Sequence, residues 1–419
     1  MVSKKSKAPL TGIWRCPMVN ATPELADIIC RYGKTYIESH SVPLAHYKIM
    51  NAIVVCRTAF LGGHIEVCDS CGKAQNAYNS CRNRHCPKCQ ALTKVKWIEA
   101  RMTELLPVSY FHNVFTLPHE LNLIVLANKK TMLDILFKAV SATLKEFALY
   151  PKRYKEGGKI GFTSVLHTWD QKLREHFHLH CVIPAGYLSH DGKRWIHSKK
   201  KFLFPVKALS KVFRGKFIEL MENIFHSLIF PGKIAEIGTS TGFRSLKNQL
   251  FSKEWIAYSK QPFGGPEQVL EYLGRYTHRV AISNNRIVDI ENHTVKFSYK
   301  DRKNNDAQKT MTLKATEFIR RFLLHALPKK FMRIRHCGFL ANRCKKDNLF
   351  KCRNILGQDN IPEKSNKPIK ELMLELTGQD ISTCPFCKKG KLKKKHKIPE
   401  QTGPGFFERL NLTVLQDTS

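Results

Sequence analysis

The stretch "REHFHLHCVIP", residues 174–184, decides the fold class of the middle of this chain. Its apolar residues alternate with His176, His178 and His180, and a period of two is typical of a β-strand. Side chains two residues apart lie on one face of a strand, so the imidazoles project from the same side. Core packing does not require this arrangement, whereas a bound metal ion does. The stretch therefore predicts a metal-binding strand.

A second strand is predicted immediately upstream, because residues 159–169, "KIGFTSVLHTW", have strand character. The link "DQKLRE" is so short that the two strands are expected to be antiparallel neighbours. His167 would then lie beside His178 and, with His180, complete a set of imidazoles. Such a set leaves coordination positions on a metal open for substrate oxygens. The alternatives for the third ligand are His176 and Gln268.

Paired cysteines predict a zinc site in the N-terminal region. The stretch "CDSCGKAQNAYNSCRNRHCPKC" contains two Cys-x-x-Cys pairs, Cys68 with Cys71 and Cys86 with Cys89. Two such pairs supply the four thiolates of a tetrahedral structural Zn²⁺. Four further residues surround this set and are candidates for a second site: Cys56, His64, Cys81 and His85.

The C-terminal region has one more Cys-x-x-Cys pair, "CPFC", formed by Cys384 and Cys387. One pair is half of a zinc site, so a second zinc here needs other ligands. Cys344 and Cys352 are the candidates, with Cys337 as an alternative. Seven lysines follow between residues 388 and 397, and their charge predicts contact with a DNA backbone.

The charge balance points to a nucleic-acid partner. Lys and Arg number 70 against 34 Asp and Glu, which gives a formal net charge of +36. Phosphate is the usual partner of such an excess, although charge alone does not separate DNA from RNA. The candidate DNA contacts are the basic residues in the cysteine-rich segment and near the tyrosines described below: Arg82, Arg84, Lys88, Arg275 and Arg279.

Several classes of protein are disfavoured by the sequence. It has no apolar run of eighteen residues, and its basic start lacks a following apolar segment, so we expect no membrane span and no secretory signal. A cytoplasmic protein is expected, and its 14 cysteines are read as thiols or metal ligands rather than disulfides. No Gly-x-x-x-x-Gly-Lys-Ser/Thr loop is present, so no nucleotide cofactor is expected.

The pattern along the chain predicts an α+β fold in three regions. Residues 1–105 end in the cysteine-rich segment, 106–330 form a mixed domain, and 331–419 are a basic tail. Within the middle region, 109–118 is predicted as a strand, while 119–150 and 205–230 have helical spacing of apolar residues.

The stretch "EYLGRYTHR" supplies candidate nucleophiles. Tyr272 and Tyr276 are four residues apart, so on a helix they lie on one face. A phenol with a pKa near about 10 is a poor nucleophile at neutral pH. A nearby metal or cation that favours phenolate would activate it.

Together these motifs resemble the rolling-circle, HUH-type transposases of the insertion sequence 91 family, over most of the chain. "NSCRNRHCPKCQ" is similar to the zinc-binding domain, "HFHLHCVIPAGYLSHDGKRW" to the histidine–hydrophobic–histidine block, and "YLGRYTHRVAISNNRI" to the tyrosine motif. The turn "PAGYLS" departs from the more glycine-rich turn expected of the family.

The resemblance implies a fold and a reaction. The fold is an HUH nuclease domain, in which a central antiparallel sheet flanked by helices carries the histidines and a helix brings the tyrosines beneath them. The reaction is nicking and rejoining of single-stranded DNA at transposon ends and target DNA, with Mg²⁺ or Mn²⁺ and a 5′-phosphotyrosine intermediate. It also implies that the protein is associated with the bacterial nucleoid.

Two other functions share part of this pattern. A rolling-circle replication initiator or relaxase uses the same nicking chemistry. A zinc-dependent nucleic-acid-binding protein without catalysis would bind DNA and form no covalent adduct.

Overall fold

A computed structural model describes residues 22–149, 156–198, 203–263, 268, 274, 280–301, 304–358, 368, 371, 373–374, 378 and 380–401. These residues belong to two compact units. The first contains the described residues in 22–55 and 283–320, and the second those in 56–282 and 321–401. Each unit is therefore built from segments that are far apart in the sequence. The predicted boundaries at 105 and 330 instead divide the chain into three consecutive regions.

The described regular elements are as follows. The helices are α1 Leu25–Ser39, α2 Leu44–Val54, α3 Gln90–Met102, α4 Asn122–Ala127, α5 Lys129–Leu149, α6 Val206–Glu222, α7 Ser240–Ser252, α8 Ala315–Leu324 and α9 Lys345–Ile355. The strands are β1 Gly63–Cys68, β2 Ala74–Tyr78, β3 Tyr110–Thr116, β4 Gly158–Lys159, β5 Gly161–Trp169, β6 Glu175–Pro184, β7 Gly186–Ser189, β8 Trp195–His197, β9 Ala257–Phe263, β10 Ile287–Glu291, β11 Thr294–Asp301, β12 Ala307–Lys314, β13 Ile334–Gly338 and β14 Leu392–Ile398.

The first unit combines α1 and α2 with an antiparallel sheet of order β10-β11-β12. Leu25 donates its main-chain N–H to the Asn284 side chain, which ties the start of α1 to the segment before the sheet. The buried rings of Phe297 and Phe318 meet edge to face, with centroids 5.6 Å apart, and form part of its core.

The centre of the second unit is a five-stranded sheet of order β13-β5-β6-β3-β9, in which every pair of neighbours is antiparallel. This confirms the mixed α+β fold with an antiparallel sheet. The alternating residues of β6 explain its two faces: Leu179 and Cys181 join a large apolar core with α5, α6 and α7, while His178 and His180 lie on the other face.

The link between β5 and β6 fixes their register. Asp170 accepts hydrogen bonds from the main-chain N–H groups of Lys172 and Arg174, both at 2.8 Å, and its carboxylate pairs with the Arg174 guanidinium. Leu173 adopts a left-handed φ of 59° inside this turn. As a result His167 of β5 lies directly opposite His178 of β6, as the sequence predicted.

Two smaller sheets complete the second unit. One has the order β4-β7-β8, and the other has the order β14-β1-β2, so β1 near the N-terminal end of the unit lies between β2 and the C-terminal β14. Among the described residues, no helix is both long enough and apolar enough to cross a membrane.

Candidate functional site

The face of the central sheet that carries histidines forms a compact imidazole cluster. One ligand atom from each of His167, His178 and His180 lies within 4.8 Å of the others. All three side chains are buried, with 4 to 8% of their surface exposed. The ring of Trp169 stacks on that of His167 at a centroid distance of 5.0 Å and closes one side of the cluster. The structure therefore brings together the three histidines that the sequence selected.

Hydrogen bonding fixes which nitrogen of His178 can bind a metal. Its Nδ1 lies 2.8 Å from the main-chain carbonyl oxygen of His176. A carbonyl only accepts, so Nδ1 carries the proton and Nε2 has the lone pair in the neutral ring. His176, the alternative third ligand, contributes its carbonyl here and orients the ring of its neighbour.

A fourth histidine, which the sequence pattern did not indicate, belongs to the same face. His112 of β3 is 3% exposed, and its Nε2 lies 2.9 Å from Nδ1 of His180. Burial, with a smaller effect of Lys260, lowers the pKa of His112 to about 4, so the ring is neutral at pH 7. A neutral His112 that accepts from Nδ1 of His180 leaves Nε2 of His180 as the ligand atom. A metal could thus be bound by Nε2 atoms from neighbouring strands.

Helix α3 lies over the histidine face. Trp97 packs near Val182 of β6 in a small apolar cluster. Arg101 donates to Nε2 of His336 at 2.8 Å, and Nδ1 of His336 lies 2.9 Å from the hydroxyl of Thr163. Burial, followed by the charges of Arg101 and Lys345, lowers the pKa of His336 to about 4, so it stays a neutral acceptor.

The same helix begins at a cluster of four cysteines. Cys56, Cys81, Cys86 and Cys89 have their Sγ atoms within 4.8 Å of one another, and Cys89 is the N-cap residue of α3. The Cys56–Cys89 and Cys81–Cys89 sulfur distances are both 3.5 Å. Tetrahedral zinc with bonds of about 2.3 Å requires sulfur separations of about 3.8 Å, so the cluster fits zinc closely.

A second cluster joins residues from the two ends of the second unit. Cys68 and Cys71 lie with Cys384 and Cys387, again with all four Sγ atoms within 4.8 Å. The cross-pair sulfur distances are 3.7 Å for Cys68–Cys387 and 3.8 Å for Cys71–Cys384. Main-chain N–H groups of Gly390 and Lys389 lower the pKa of Cys387 to about 6, which favours the thiolate that zinc binds.

These clusters correct the predicted cysteine sets. Cys68 and Cys71 do not share a site with Cys86 and Cys89, because each pair is completed by a different partner pair. The expected second set is also wrong in part. Cys344 and Cys352 are not with Cys384 and Cys387: Cys352 lies in a separate apolar cluster, and Cys344 Sγ lies against the carbonyls of Gly338 and Ala341.

The tyrosine stretch lies mostly outside the described residues, and Tyr272, Tyr276, Arg275 and Arg279 are among those not described. Gly274, between the two tyrosines in sequence, is described. A Cβ atom at this position would lie 2.5 Å from Cδ1 of Ile98 and 3.1 Å from Cε of Lys94. The backbone at Gly274 therefore lies against α3.

Of the other candidate DNA contacts, Arg82 is exposed in a left-handed conformation with φ of 54°. Arg84 donates to the carbonyls of Phe331 at 2.6 Å and Pro328 at 3.2 Å. It lines a small pocket with Trp169 and Arg333. Burial, followed by the charge of Arg84, lowers the pKa of Arg333 to about 10, so Arg333 stays a cation at neutral pH next to Arg84.

The sequence of this chain is similar to those of known transposases. A relative from Sinorhizobium fredii, "Putative transposase y4qJ", is 46% identical over 394 residues, which is 92% of this chain and 98% of that protein. A family model described as "Transposase zinc-binding domain" of the insertion sequence 91 type matches residues 28–117, and one described as "Putative transposase" matches 161–348. The chain belongs to the insertion sequence 91 family of transposases.

A second relative of this transposase is the "Transposase for insertion sequence element IS801" of Pseudomonas savastanoi pv. phaseolicola. It is 28% identical over 300 residues, or 71% of this chain and 70% of that protein. No solved structure is significantly similar. The zinc-binding match contains six of the eight clustered cysteines and supports structural Zn²⁺ in this transposase, while Cys384 and Cys387 lie beyond it.

Proposed function

We propose that this transposase nicks and rejoins single-stranded DNA at transposon ends and at the target, by the HUH-type mechanism with a tyrosine nucleophile, and so drives rolling-circle transposition. The observation that supports this most directly is the set of buried imidazoles of His167, His178 and His180, whose ligand atoms lie within 4.8 Å of one another. They lie in the segment that matches the transposase family model.

These three imidazoles would hold a divalent ion, Mn²⁺ or Mg²⁺, and neutral nitrogen ligands generally suit Mn²⁺ better. When bound, the ion would polarise the scissile phosphate and stabilise the charge that develops on its oxygens. The contacts of His178 with the His176 carbonyl and of His180 with His112 would hold the rings in the ligating tautomer.

Tyr272 or Tyr276 would act as the nucleophile. The phenol oxygen forms a bond to phosphorus while the bond to the 3′ oxygen breaks, the phenol loses its proton, and the leaving 3′ oxygen gains one. The products are a 5′-phosphotyrosine and a free 3′-hydroxyl. Because the covalent link retains the phosphodiester energy, rejoining requires no nucleotide cofactor. Two tyrosines would allow two strand ends to be processed in succession.

The test is formation of a covalent adduct on single-stranded oligonucleotides that carry the element's ends, resolved on a denaturing gel. Wild-type protein with Mn²⁺ should form the adduct. The variant with both Tyr272→Phe and Tyr276→Phe should form none, and each single variant identifies the tyrosine that acts first. Adduct that persists in the double variant would refute the assignment. Excision of the element separates a transposase from a replication initiator or relaxase.

A further inference from the structure

We propose that Cys68, Cys71, Cys384 and Cys387 hold a zinc ion that clasps the C-terminal strand β14 to β1, and that the clasped strand binds the phosphate backbone of DNA. The zinc-binding part of this proposal rests only on the geometry of the four cysteines. The DNA-binding part rests on the proposed function, since it concerns how this transposase holds its substrate.

The two cysteine pairs have equivalent backbone turns, although they are more than 300 residues apart in sequence. In each, the residue after the second cysteine, Gly72 or Lys388, is left-handed, with φ of 70° and 57°. Each of these donates its N–H to the carbonyl of the first cysteine, at 3.1 Å to Cys68 and 2.9 Å to Cys384. Two such turns facing each other supply the closed four-sulfur shell of a structural zinc ion.

The two turns also contact each other directly. A Cβ atom on Gly390 would lie 2.4 Å from Sγ of Cys68, so only glycine fits between the two turns here. Two hydrogen bonds join Asp69 to Lys391: the Asp69 N–H donates to the Lys391 carbonyl, and the Lys391 N–H donates to the side-chain Oδ1 of Asp69 at 2.7 Å. A bound zinc ion would stabilise this contact. The pairing of β14 with β1 begins immediately after it, at Leu392 opposite Cys68.

The strand held in this way is strongly basic. All seven lysines between 388 and 397 are exposed. Lys393 lies 3.4 Å from the Asp69 carboxylate, and Lys391 lies 3.3 Å from Asp380, whereas Lys394, Lys395 and Lys397 extend along the outer strand. Lysines on an edge strand also prevent aggregation. Protection against aggregation does not explain Lys388 and Lys389, because they lie in the turn outside the strand. Binding of an extended anion such as DNA accounts for all seven lysines.

Zinc content tests the clasp. Purified full-length protein should contain two zinc ions per chain, as measured by inductively coupled plasma mass spectrometry. The variant with Cys384→Ser and Cys387→Ser should contain one, and the control Cys344→Ser, which changes a cysteine outside both clusters, should keep two. Equal zinc in the double variant and the wild type would overturn the clasp.

Salt dependence of binding tests the strand. The probe is a duplex oligonucleotide of unrelated sequence, without Mg²⁺ or Mn²⁺, so nicking does not enter and a failed adduct assay leaves the result intact. The variant with Lys394→Gln, Lys395→Gln and Lys397→Gln should reduce the slope of log affinity against log salt by about 2 to 3. The control removes the same charge at the exposed Lys207, Lys211 and Lys233 and should change the slope by less than about 1.

The two parts of the proposal are joined by a combined variant. If zinc positions the lysines, the variant with Cys384→Ser and Cys387→Ser should show the same reduction of the salt slope as the lysine variant. Combining the cysteine and lysine substitutions in one protein should reduce the slope no further. Additive losses would show that the lysines act without the clasp. An equal loss in the control lysines, or an unchanged slope in the β14 variant, would overturn the DNA-binding part.

Discussion

Nε2 of His112 lies 2.9 Å from Nδ1 of His180, and their rings stack with centroids 5.1 Å apart. This contact extends the imidazole cluster to a third strand of the central sheet. Under the proposed function, His112 would orient His180 as a metal ligand without binding the metal itself.

Replacing His112 should therefore weaken metal binding. His112→Phe removes the acceptor for His180 and should lower the affinity for Mn²⁺ by about 10- to 100-fold, measured by calorimetric titration. His112→Gln keeps an acceptor and should recover much of the loss. The control His197→Phe changes an exposed histidine on β8 and should have no effect. Equal affinity of the His112→Phe variant and the wild type would contradict the role.

Loss of a ligand should have a larger effect than loss of His112. His178→Ala or His180→Ala should reduce metal-dependent nicking by more than the His112→Phe variant does, because a coordinating atom is gone rather than misoriented. Zinc content and duplex binding should stay at wild-type values, since both cysteine clusters are intact. Full nicking by either alanine variant would place the metal elsewhere.

The first cysteine cluster predicts that Cys56 and Cys81 contribute as much to zinc binding as Cys86 does. Cys56→Ser should lower the zinc content by one ion per chain and reduce the melting temperature by several degrees, because about 1 kcal/mol already shifts a large domain by roughly 2–4 °C. Cys81→Ser should behave in the same way. The control Cys181→Ser changes a buried cysteine in the apolar core and should retain both ions. Unchanged zinc in Cys56→Ser would reject this cluster.

His325 should make the fold sensitive to mild acid. It is 3% exposed, and burial lowers its pKa to about 4. A hydrogen bond to the Leu173 carbonyl and the charge of Asp170 oppose this shift, while the charge of Lys129 adds to it. Between that value and the unfolded pKa of about 6.5, the unfolded chain binds more protons. The free energy of unfolding should therefore fall as the pH drops from about 6.5 toward 4, by on the order of 3 kcal/mol from this group.

The measurement is urea unfolding at pH 7 and at pH 5 for wild type and His325→Gln. Acid also protonates the zinc thiolates, but both proteins share that loss, so their difference isolates His325. The variant should lose less stability between the two pH values than the wild type. Equal losses would show that His325 does not contribute.

The close approach of Gly274 to Ile98 of α3 can be tested by substitution. Gly274→Val should lower adduct formation about 10-fold or more, because its side chain would occupy the space of Ile98, while zinc content and Mn²⁺ binding remain. Shortening the partner in the double variant Gly274→Ala with Ile98→Ala should recover the activity lost by Gly274→Ala alone. Failure of that recovery would mean that the contact is not what limits the reaction.

The sequence predicted those parts of the site that depend on local pattern. The period of two in β6 and the short link before it were sufficient to place His167 opposite His178, because both are properties of adjacent segments. The strand at β3 and the helices α5 and α6 were found for the same reason.

The cysteine sets were wrong because pairing between distant segments leaves no trace in local spacing. The partners of Cys68 and Cys71 lie more than 300 residues away, and nothing in a single sequence distinguishes them from the nearer Cys86 and Cys89. His112 was missed because a lone histidine in an apolar strand resembles an ordinary buried residue. Its partner became visible only when β3 and β6 were seen to be neighbours.

The position of β1 between β2 and β14 has a consequence for synthesis on the ribosome. β1 and β2 emerge early, but the other edge of β1 stays open until Leu392–Ile398 has been translated. Contacts this distant in sequence form late. A truncated product of an interrupted message would thus carry an N-terminal module in which one edge of β1 stays unpaired with β14.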